Sequence, residues 1–539
     1  MSQEKSNLLS VPEIAKRNVW SYLAFRQFRF TTRETLIFLT TFIVIAQTVL
    51  HLVAINAYGF HEDELLYMTL GDHLAWGYIE TGPLIAVIGD VSKALFGDSL
   101  IAMRIFPPIC AGALVHLTGI ITIRLGGKHV AIIIACTAVA FSPAFLASGA
   151  LFIPQVFDEF FWLLTVYLVV CWIQKPNDNY LYGLGLAIGF GILLKYTLLL
   201  YVGGILLGIV CTPQLRVLFR KKAFYLAIVI SILILLPHLV WQFEHRLPAL
   251  AHYHELKKTQ LNYLYRLDFL IQQLLVNGPA LLVWLTGIIY LFYNKKLQQY
   301  RFFGVSFLIV MVVLALLKGK PYYGFGAYPP IFIIGALYLE EQFEFKSLIK
   351  RATFLCVLIV PNLLLSVIVI PVLPIESAAK VFNWARNYLG ITFTVKWEDQ
   401  KIHSVNQNYA DMIGWDELAQ KTSALYMELP AIERKNTIIY TANYGIASAL
   451  SYYSKRFPLP KVVSLNGSLA LWAPKKITQK FIIYYAGSGE YSTSNTIKLR
   501  NKYVIDNQFS RLFGTQICVS KNSTSGEIRH FNYSFVENR

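Results

Sequence analysis

Long apolar runs alternate with short polar segments along the first 373 residues, and polar positions predominate after Pro374. Several of these runs exceed the roughly 18 apolar residues that mark a membrane-spanning helix. The pattern therefore predicts a polytopic α-helical membrane protein with a polar C-terminal part. The eleven predicted spans cover residues 35–55, 101–123, 129–148, 156–174, 180–195, 197–211, 223–241, 269–292, 302–317, 328–341 and 352–373.

Lys and Arg residues cluster in alternate polar segments, as they do in the cytoplasmic loops of membrane proteins. This pattern predicts a cytoplasmic N-terminus, and it places the first outer loop, residues 56–100, on the other side of the membrane. With eleven spans, the polar C-terminal part also lies outside. The basic clusters are Lys16, Arg17, Arg26, Arg29 and Arg33 before the first span, then Arg124 with Lys128, Lys175, residues 216–222, residues 295–301 and residues 346–351.

The composition agrees with a membrane protein. Of the 539 residues, 55% are hydrophobic and 15% are charged, whereas a soluble protein carries about a quarter charged residues. The net charge of +17 is accounted for partly by the cytoplasmic clusters, which anionic lipids of the inner leaflet attract. Membrane lipids are therefore expected partners. The sequence contains no basic–aromatic nucleic-acid-binding motif, so no nucleic-acid partner is predicted.

The polar C-terminal part has a pattern of short strands and helix. The segment KNTIIYTANYGIASALSYY predicts a strand, a glycine-containing turn and a helix, and KVVSLN and KFIIYYAGSG predict further strands. We therefore expect two domains, a membrane domain over residues 1–373 and a small extracytoplasmic α/β domain over residues 374–539. The second domain either shapes access for an acceptor or caps the membrane part, and the sequence leaves both roles open.

Ionisable residues at unusual positions are the candidates for chemistry. Asp63 and Glu64 lie in the acidic stretch HEDE of the first outer loop, and Asp158 lies at the outer start of the fourth span. Lys195 lies between two short apolar segments, and 16 helical residues cover only about 24 Å of a bilayer core about 30 Å thick. Lys195 is therefore expected below the outer surface, where an ionisable side chain is costly and indicates function.

Basic side chains accompany these carboxylates on the predicted outer side, namely Arg104 and the lysines of LKGKPYYGFGAYPP, which include Lys320. A carboxylate suits a general base, which takes a proton from an attacking hydroxyl group. Lys and Arg neutralise a phosphate as it leaves. The combination at a lipid boundary predicts the transfer of a group from a lipid phosphate.

The stretch HEDELLYMTLGDHLAWGYIETGPLIAVI resembles the first outer loop of bacterial membrane glycosyltransferases of the protein O-mannosyltransferase type, whose relatives include the aminoarabinose transferase that modifies lipid A. In that family an Asp-Glu pair precedes a Pro-Pro-Leu-like element, and here these are Asp63-Glu64 and Gly82-Pro83-Leu84. Further segments resemble family motifs in the same order, namely PHLVWQFEHRLPALAHYHEL (237–256), GKPYYGFGAYPP (319–330) and NYGIASALSYYSKRFPLP (443–460).

The resemblance implies the GT-C architecture, in which a membrane bundle carries an outward catalytic cavity, and inverting transfer from a polyprenyl-phosphate sugar. By motif, Asp63 matches the catalytic aspartate with Glu64 beside it, and Asp158 matches a second acidic position. The implied donor-phosphate and substrate-binding residues are Arg104, Lys195, Lys320, Tyr322 and Tyr323. One departure is Glu80-Thr81-Gly82-Pro83-Leu84 in place of Glu-Lys-Pro-Pro-Leu, so Arg104, Lys195 or Lys320 has to supply the phosphate-binding charge.

The predicted function is that of a hexosyl- or pentosyltransferase that moves a sugar to a cell-envelope acceptor, a lipid, a glycan or a protein, at the outer face of the cytoplasmic membrane. The alternative is a transporter or flippase of lipid-linked sugars, which also needs charges inside the membrane. No cofactor is expected, because the lipid phosphate is already an activated leaving group. His61, Glu62 and Glu80 are of the types that bind Zn²⁺ or Mn²⁺, but their spacing supports no metal site, and a divalent cation is left open.

Overall fold

The computed structural model describes residues 32–342, 348–487 and 500–521. The basic residues Lys16, Arg17, Arg26 and Arg29, which contributed to the predicted orientation, lie outside these ranges, as does Lys346. Within them, the chain up to Val369 is helical, and a mixed sheet with helices follows.

A helix lies in each of the eleven apolar segments, because the long apolar runs carry few helix-breaking residues. The longer helices are Thr32–Ala54, Leu84–Phe96, Phe106–Arg124, His129–Phe141, Pro154–Gln174, Asp178–Leu194, Thr197–Val210, Lys222–Glu244, Pro248–Thr259, Arg266–Leu275, Leu281–Tyr293, Phe302–Leu316, Tyr328–Gln342 and Leu348–Val369. Shorter helical pieces are Glu62–Gly71, Leu100–Arg104, Pro143–Ser148, Pro213–Arg220, Leu261–Tyr263, Gly278–Ala280, Lys295–Tyr300 and Pro321–Ala327.

The lengths of these helices test the predicted spans. Five described stretches are long and apolar enough to cross a membrane, namely Ile37–Ala54, Leu100–Arg124, Pro154–Gln174, Lys222–Glu244 and Ala352–Val369. Two pairs bent by 112° and 99° bring the number to seven if each pair is one span, and three shorter apolar helices fall below the length criterion. The chain is therefore a helical membrane protein, as predicted, while the number of eleven spans stays a prediction.

Aromatic packing holds the helices on either side of Lys195 together. Trp162, which is fully buried, stacks on Tyr201 with ring centroids 4.3 Å apart. Offset stacking of two buried aromatic rings contributes about 0.5–1.5 kcal/mol beyond the burial of their area. The contact joins helix Pro154–Gln174 to helix Thr197–Val210 and so places Asp158 beside the segment that contains Lys195.

The helical path is interrupted at Lys195. Helix Asp178–Leu194 ends there because Lys195 is extended, with φ −155° and ψ 133°, and the next helix begins at Thr197. The first outer loop packs against this break. A Cβ on Gly82 would lie 2.0 Å from the carbonyl oxygen of Leu193, so only glycine permits the contact. The glycine at position 82, where the family has its first proline, therefore has a steric reason.

The polar part after Pro374 forms a five-stranded mixed sheet with helices around it. The strands are β1 (Thr437–Tyr440), β2 (Val462–Val463), β3 (Phe481–Ala486), β4 (Arg500–Val504) and β5 (Gln516–Lys521), in the spatial order β2-β1-β3-β5-β4. Strand β1 is parallel to β2 and β3, whereas β5 is antiparallel to β3 and β4. The helices are Ile375–Leu389, Gln407–Ala410, Trp415–Glu428, Ala431–Arg434, Tyr444–Tyr453 and Gly467–Trp472.

The first outer loop and the sheet share one hydrophobic core. Phe60, Leu65 and Ile85 of the loop belong to the same buried cluster as Ile446 and Ile483 of the sheet region. Since burying an aliphatic side chain of this kind contributes about 1.5–3 kcal/mol, the two regions stabilise each other. The helix Glu62–Gly71, which contains Asp63, is therefore held against the polar part of the chain.

Candidate active site

The helix Glu62–Gly71 presents Asp63 on its open face. A capping box starts the helix, because the His61 ring nitrogen accepts a hydrogen bond from the Asp63 amide and Glu64 accepts one from the His61 amide. All residues of the helix are buried except Asp63 and Tyr67, which are partly exposed and lie one turn apart. Asp63 is therefore the carboxylate of HEDE that is open to a substrate.

Glu64 and Arg104 bind each other. The Arg104 guanidinium donates to both carboxylate oxygens of Glu64 at 2.7–3.2 Å, and its remaining donors reach the carbonyls of Ile55 and Gly59. Burial raises the pKa of the Glu64 carboxyl, but Arg104 and two backbone N–H groups outweigh burial and hold it below its usual value. Glu64 was predicted to be catalytic and Arg104 to bind phosphate, but both are buried and fully used in this pair.

Asp158 is also committed to internal hydrogen bonds. Trp162 Nε1 donates to its Oδ1 at 2.9 Å, and Thr197 Oγ1 donates to its Oδ2 at 2.6 Å. The residue is 2% exposed, and its role as a second catalytic acid stays a prediction. Because Thr197 begins the helix after the break, Asp158 fixes the segment that carries Lys195.

Lys195 faces aromatic rings and an amide. Its Nζ donates to Gln155 Oε1 and lies 5.1 Å from the ring centroid of Tyr322 and 5.3 Å from that of Tyr323. A cation over aromatic faces gains about 0.5–2 kcal/mol. The side chain is partly exposed, so it remains available to an anion.

Gln155 and Glu159 support this lysine and were missed from the sequence. Gln155 Nε2 donates to Glu159 Oε1 at 3.0 Å and to the backbone oxygen of Tyr322 at 2.9 Å. Glu159 also accepts a hydrogen bond from Ser148 Oγ at 2.7 Å. The available signal was the spacing of Gln155, Asp158 and Glu159, which places three polar side chains on one face of an otherwise apolar helix.

Lys320 lies on the same side as Asp63 and pairs with the polar part of the chain. Its Nζ is 3.0 Å from Glu398 Oε1. Burial lowers the pKa of Lys320, but Glu398 and, more weakly, Asp63 outweigh burial and raise it. The pKa of Tyr322 is likewise raised, by burial, Tyr323 and Asp63. Asp63 is therefore within electrostatic reach of both side chains.

The structure thus brings five predicted residues together as one charged cluster, defined as Asp63, Lys195, Lys320, Tyr322 and Tyr323. Lys195 is within electrostatic reach of Lys320 and stands over both tyrosine rings. Tyr322 is 38% exposed. The arrangement combines one accessible carboxylate with two cations, which suits proton removal at one end and phosphate binding at the other.

The polar part of the chain adds residues to this cluster. Arg511 Nη1 lies 2.6 Å from Glu62 Oε1 and 3.4 Å from Asp411 Oδ1, and Tyr444 Oη donates to Asp63 Oδ1 at 2.9 Å. Apart from the NYG motif around Tyr444, no signal in the sequence pointed to these contacts, because the partners lie 100 to 449 positions apart.

Glu62 should make stability depend on pH. Burial and the neighbouring Asp411 raise the pKa of Glu62 well above its usual value of 4.5, although Arg511 opposes them. The ionised carboxyl is thus less favourable in the folded protein than in the unfolded chain, and wild-type stability falls as pH rises from that value toward the raised pKa. We expect Glu62→Gln to lack this loss of stability. The melting temperature of the variant minus that of wild type should therefore be larger at about pH 8 than at about pH 5. Heating in detergent followed by size-exclusion chromatography measures both melting temperatures. If the difference between them does not change with pH, the pKa of Glu62 is not raised in the folded protein.

The residues considered for a metal ion have protein partners in the structure. His61 caps its helix and is 3.9 Å from Asp411, Glu62 pairs with Arg511, and Glu80 accepts hydrogen bonds from the amide and hydroxyl of Ser468. Across residues 32–342, 348–487 and 500–521, no group of three His, Cys, Asp or Glu side chains is placed to hold a metal ion.

Comparison with known proteins places the fold. Residues 80–241 match the family model described as dolichyl-phosphate-mannose-protein mannosyltransferase. A lipid A galacturonosyltransferase, RgtD, of Rhizobium johnstonii is 24% identical over 250 residues, which are 44% of this chain. The chain spans about half of the length of that relative, 51%.

Two solved structures share the architecture over nearly the whole chain. They are ArnT from Cupriavidus metallidurans bound to undecaprenyl phosphate, with a TM-score of 0.61, and the apo state of the same protein, with a TM-score of 0.60. Both are 12% identical in sequence, and the alignments cover 91% and 90% of this chain and 99% and 98% of ArnT. The matched family model and the relative of Rhizobium johnstonii are both described as glycosyltransferases, so the transporter alternative is not favoured. The resemblance predicted from the sequence is confirmed: the chain has the GT-C fold and resembles membrane glycosyltransferases of the protein O-mannosyltransferase and aminoarabinose transferase type.

Proposed function

We propose that this protein is an inverting glycosyltransferase that moves a sugar from a polyprenyl-phosphate donor to an acceptor of the cell envelope. The observation that carries the proposal is that Lys195 Nζ lies 5.1 Å from the ring centroid of Tyr322 and 5.3 Å from that of Tyr323, in the charged cluster that also contains the partly exposed Asp63 carboxylate. The negative charge of Asp63 contributes to the raised pKa of Tyr322 and of Lys320. The fold supports it, because the chain aligns over most of its length with a protein solved with undecaprenyl phosphate bound.

Asp63 acts as the general base in this proposal. Its carboxylate takes a proton from the acceptor hydroxyl or amine while that group attacks the anomeric carbon from the face opposite the phosphate. The bond from the anomeric carbon to the phosphate oxygen breaks, and its electron pair stays on the phosphate. A positioned base of this kind contributes about 10²–10⁴-fold to a rate.

Lys195 and Lys320 neutralise the departing polyprenyl phosphate. Lys195 suits this role because Gln155 and the two tyrosine rings fix its ammonium group while leaving the side chain partly exposed. Tyr322 and Tyr323 line the same place and supply hydroxyl groups for further hydrogen bonds to the donor. The lipid phosphate is itself the leaving group, so the reaction needs no nucleotide.

We further propose that the reaction takes place at the outer face of the cytoplasmic membrane. The N-terminus would then be cytoplasmic, residues 1–373 would form the membrane domain, and residues 374–539 would form an extracytoplasmic domain. The arrangement of the basic clusters between apolar segments supports this orientation. An outer location also matches acceptors of the envelope, of which lipid A, named for the relative of Rhizobium johnstonii, is the first to test.

The test is a donor and acceptor panel with purified full-length protein in detergent or nanodiscs. Polyprenyl-phosphate sugars are incubated with lipid A, a glycan or a peptide, and the release of free polyprenyl phosphate is measured. We expect release with at least one donor and equimolar sugar on the acceptor. Movement of a labelled lipid across a vesicle membrane without any release would overturn the proposal in favour of transport.

Replacing Lys195 by Met should weaken donor binding. Hydrogen bonds to charged groups contribute about 1.5–3 kcal/mol, so we expect the KM for the donor to rise about 10- to 100-fold. Lys93→Met is the matched control. Lys93 and its partner Asp72 both lie in the first outer loop but outside the charged cluster. Equal KM values for the two variants would contradict a phosphate-binding role for Lys195.

A further inference from the structure

The helix Tyr444–Tyr453 of the polar part begins directly at Asp63. The hydroxyl of Tyr444 donates to Asp63 Oδ1 at 2.9 Å, and Glu62 Oε1 lies 3.2 Å from the same hydroxyl. Burial and the charges of Asp63 and Glu62 raise the pKa of Tyr444. The hydroxyl therefore keeps its proton and acts as the donor in this contact.

Local structure fixes the position of this tyrosine. Strand β1 ends at Tyr440, and Asn443 caps the following helix by accepting a hydrogen bond from the Ile446 amide at 2.9 Å. Gly445 allows the helix to approach the first outer loop, since a Cβ there would lie 2.9 Å from Glu62 Oε2. The tyrosine ring itself packs against the buried cluster of Leu66 and Leu70.

Further contacts hold the first outer loop and the polar part of the chain together away from Asp63. Tyr452, two turns along the helix, donates its hydroxyl to the backbone oxygen of Asp98 at 2.8 Å. Nearer the middle of the loop, Glu80 accepts a hydrogen bond from the Ser468 amide at 2.7 Å. These contacts hold the polar part against the first outer loop without the hydrogen bond from Tyr444 to Asp63.

We propose that Tyr444 is a positioning residue for the sugar transfer, which holds one oxygen of the Asp63 carboxylate so that the other faces the acceptor. The inference rests on the proposed function. A carboxylate has two equivalent oxygens and rotates about its side-chain bonds. Fixing Oδ1 leaves Oδ2 as the oxygen that accepts the proton and reduces the number of unproductive orientations.

The test compares Tyr444→Phe with Tyr452→Phe in full-length protein, using release of polyprenyl phosphate from the donor identified in the panel. Each variant loses one tyrosine hydroxyl that links the same helix to the same loop. For Tyr444→Phe we expect kcat to fall about 10- to 100-fold while the KM for the donor stays unchanged. For Tyr452→Phe we expect wild-type kcat, and we expect both variants to retain the wild-type elution profile on size-exclusion chromatography.

A second comparison separates positioning from folding. In the Asp63→Asn background, Tyr444→Phe should cause no further loss of kcat, because the carboxylate that it orients is gone. An equal loss of kcat in both Phe variants, or an additive loss in the double variant, overturns the role of Tyr444 and leaves the proposed function intact. Absence of release by wild-type protein from every donor overturns the proposed function and this inference together.

Discussion

Replacing Asp63 by Asn is expected to lower the rate of sugar transfer by about 10²–10⁴-fold, the contribution of a positioned general base. Asn has nearly the same shape and still accepts the hydrogen bond from Tyr444, but its amide does not take a proton from the acceptor. The measurement is kcat for release of polyprenyl phosphate, with folding followed by size-exclusion chromatography. We expect the variant to bind the donor as wild type does, because the lysines of the charged cluster are unchanged.

The control for this variant is Asp72→Asn. Asp72 ends the same helix and pairs at the surface with Lys93, so the substitution removes the same charge from the same element. Exposed ion pairs contribute only about 0–1 kcal/mol, and kcat should be that of wild type. Turnover by Asp63→Asn at the wild-type rate would remove Asp63 from the reaction.

The second large effect is expected on stability. Arg104→Met should destabilise the folded protein by about 3–5 kcal/mol, the cost of leaving a buried carboxylate without its partner. Glu64 has 0% exposure, and Arg104 provides three of its hydrogen bonds. The measurement is the temperature at which half of the protein is lost from the monodisperse peak after heating in detergent.

Two further variants make this stability test specific. Arg124→Met removes an exposed arginine from the other end of the same helical stretch and should change the temperature little. The double variant Glu64→Gln with Arg104→Met removes both charges and should recover part of the loss, since no unpaired charge remains. Equal heat stability of Arg104→Met and Arg124→Met would show that the buried pair does not stabilise the fold.

Much of the membrane part follows from the sequence, because long apolar runs have few structures open to them other than helices. The interruption at Lys195 was predicted for the same reason, since neither flanking segment is long enough for a full span. The number of membrane spans is harder to predict from the sequence than the presence of helices. Helix His129–Phe141 is short and more than two-thirds buried, so its apolar composition reports burial among other helices as much as contact with lipid.

The candidate site was predictable where a single residue carries the signal. Asp63 and Lys195 stand out because ionisable groups near a membrane are costly. Glu64 and Arg104 gave the same signal for another reason, since a buried ion pair between residues 40 positions apart looks like two functional charges in a sequence. Tyr444 gave almost no signal, because a tyrosine at the start of a helix is ordinary until the fold brings a carboxylate to it.

The contact between Glu62 and Arg511 sets an order for biosynthesis. The ribosome adds Arg511 449 positions after Glu62, which takes roughly 20–90 s at about 5–20 residues per second. During that interval the membrane helices are synthesised, while Glu62 and Asp63 do not yet have Arg511 and Tyr444 as partners. Asp63 and the lysines that we propose to bind the donor are therefore synthesised well before Tyr444 and Arg511. A product terminated before Tyr444 would have these lysines without the residue that we propose to orient Asp63.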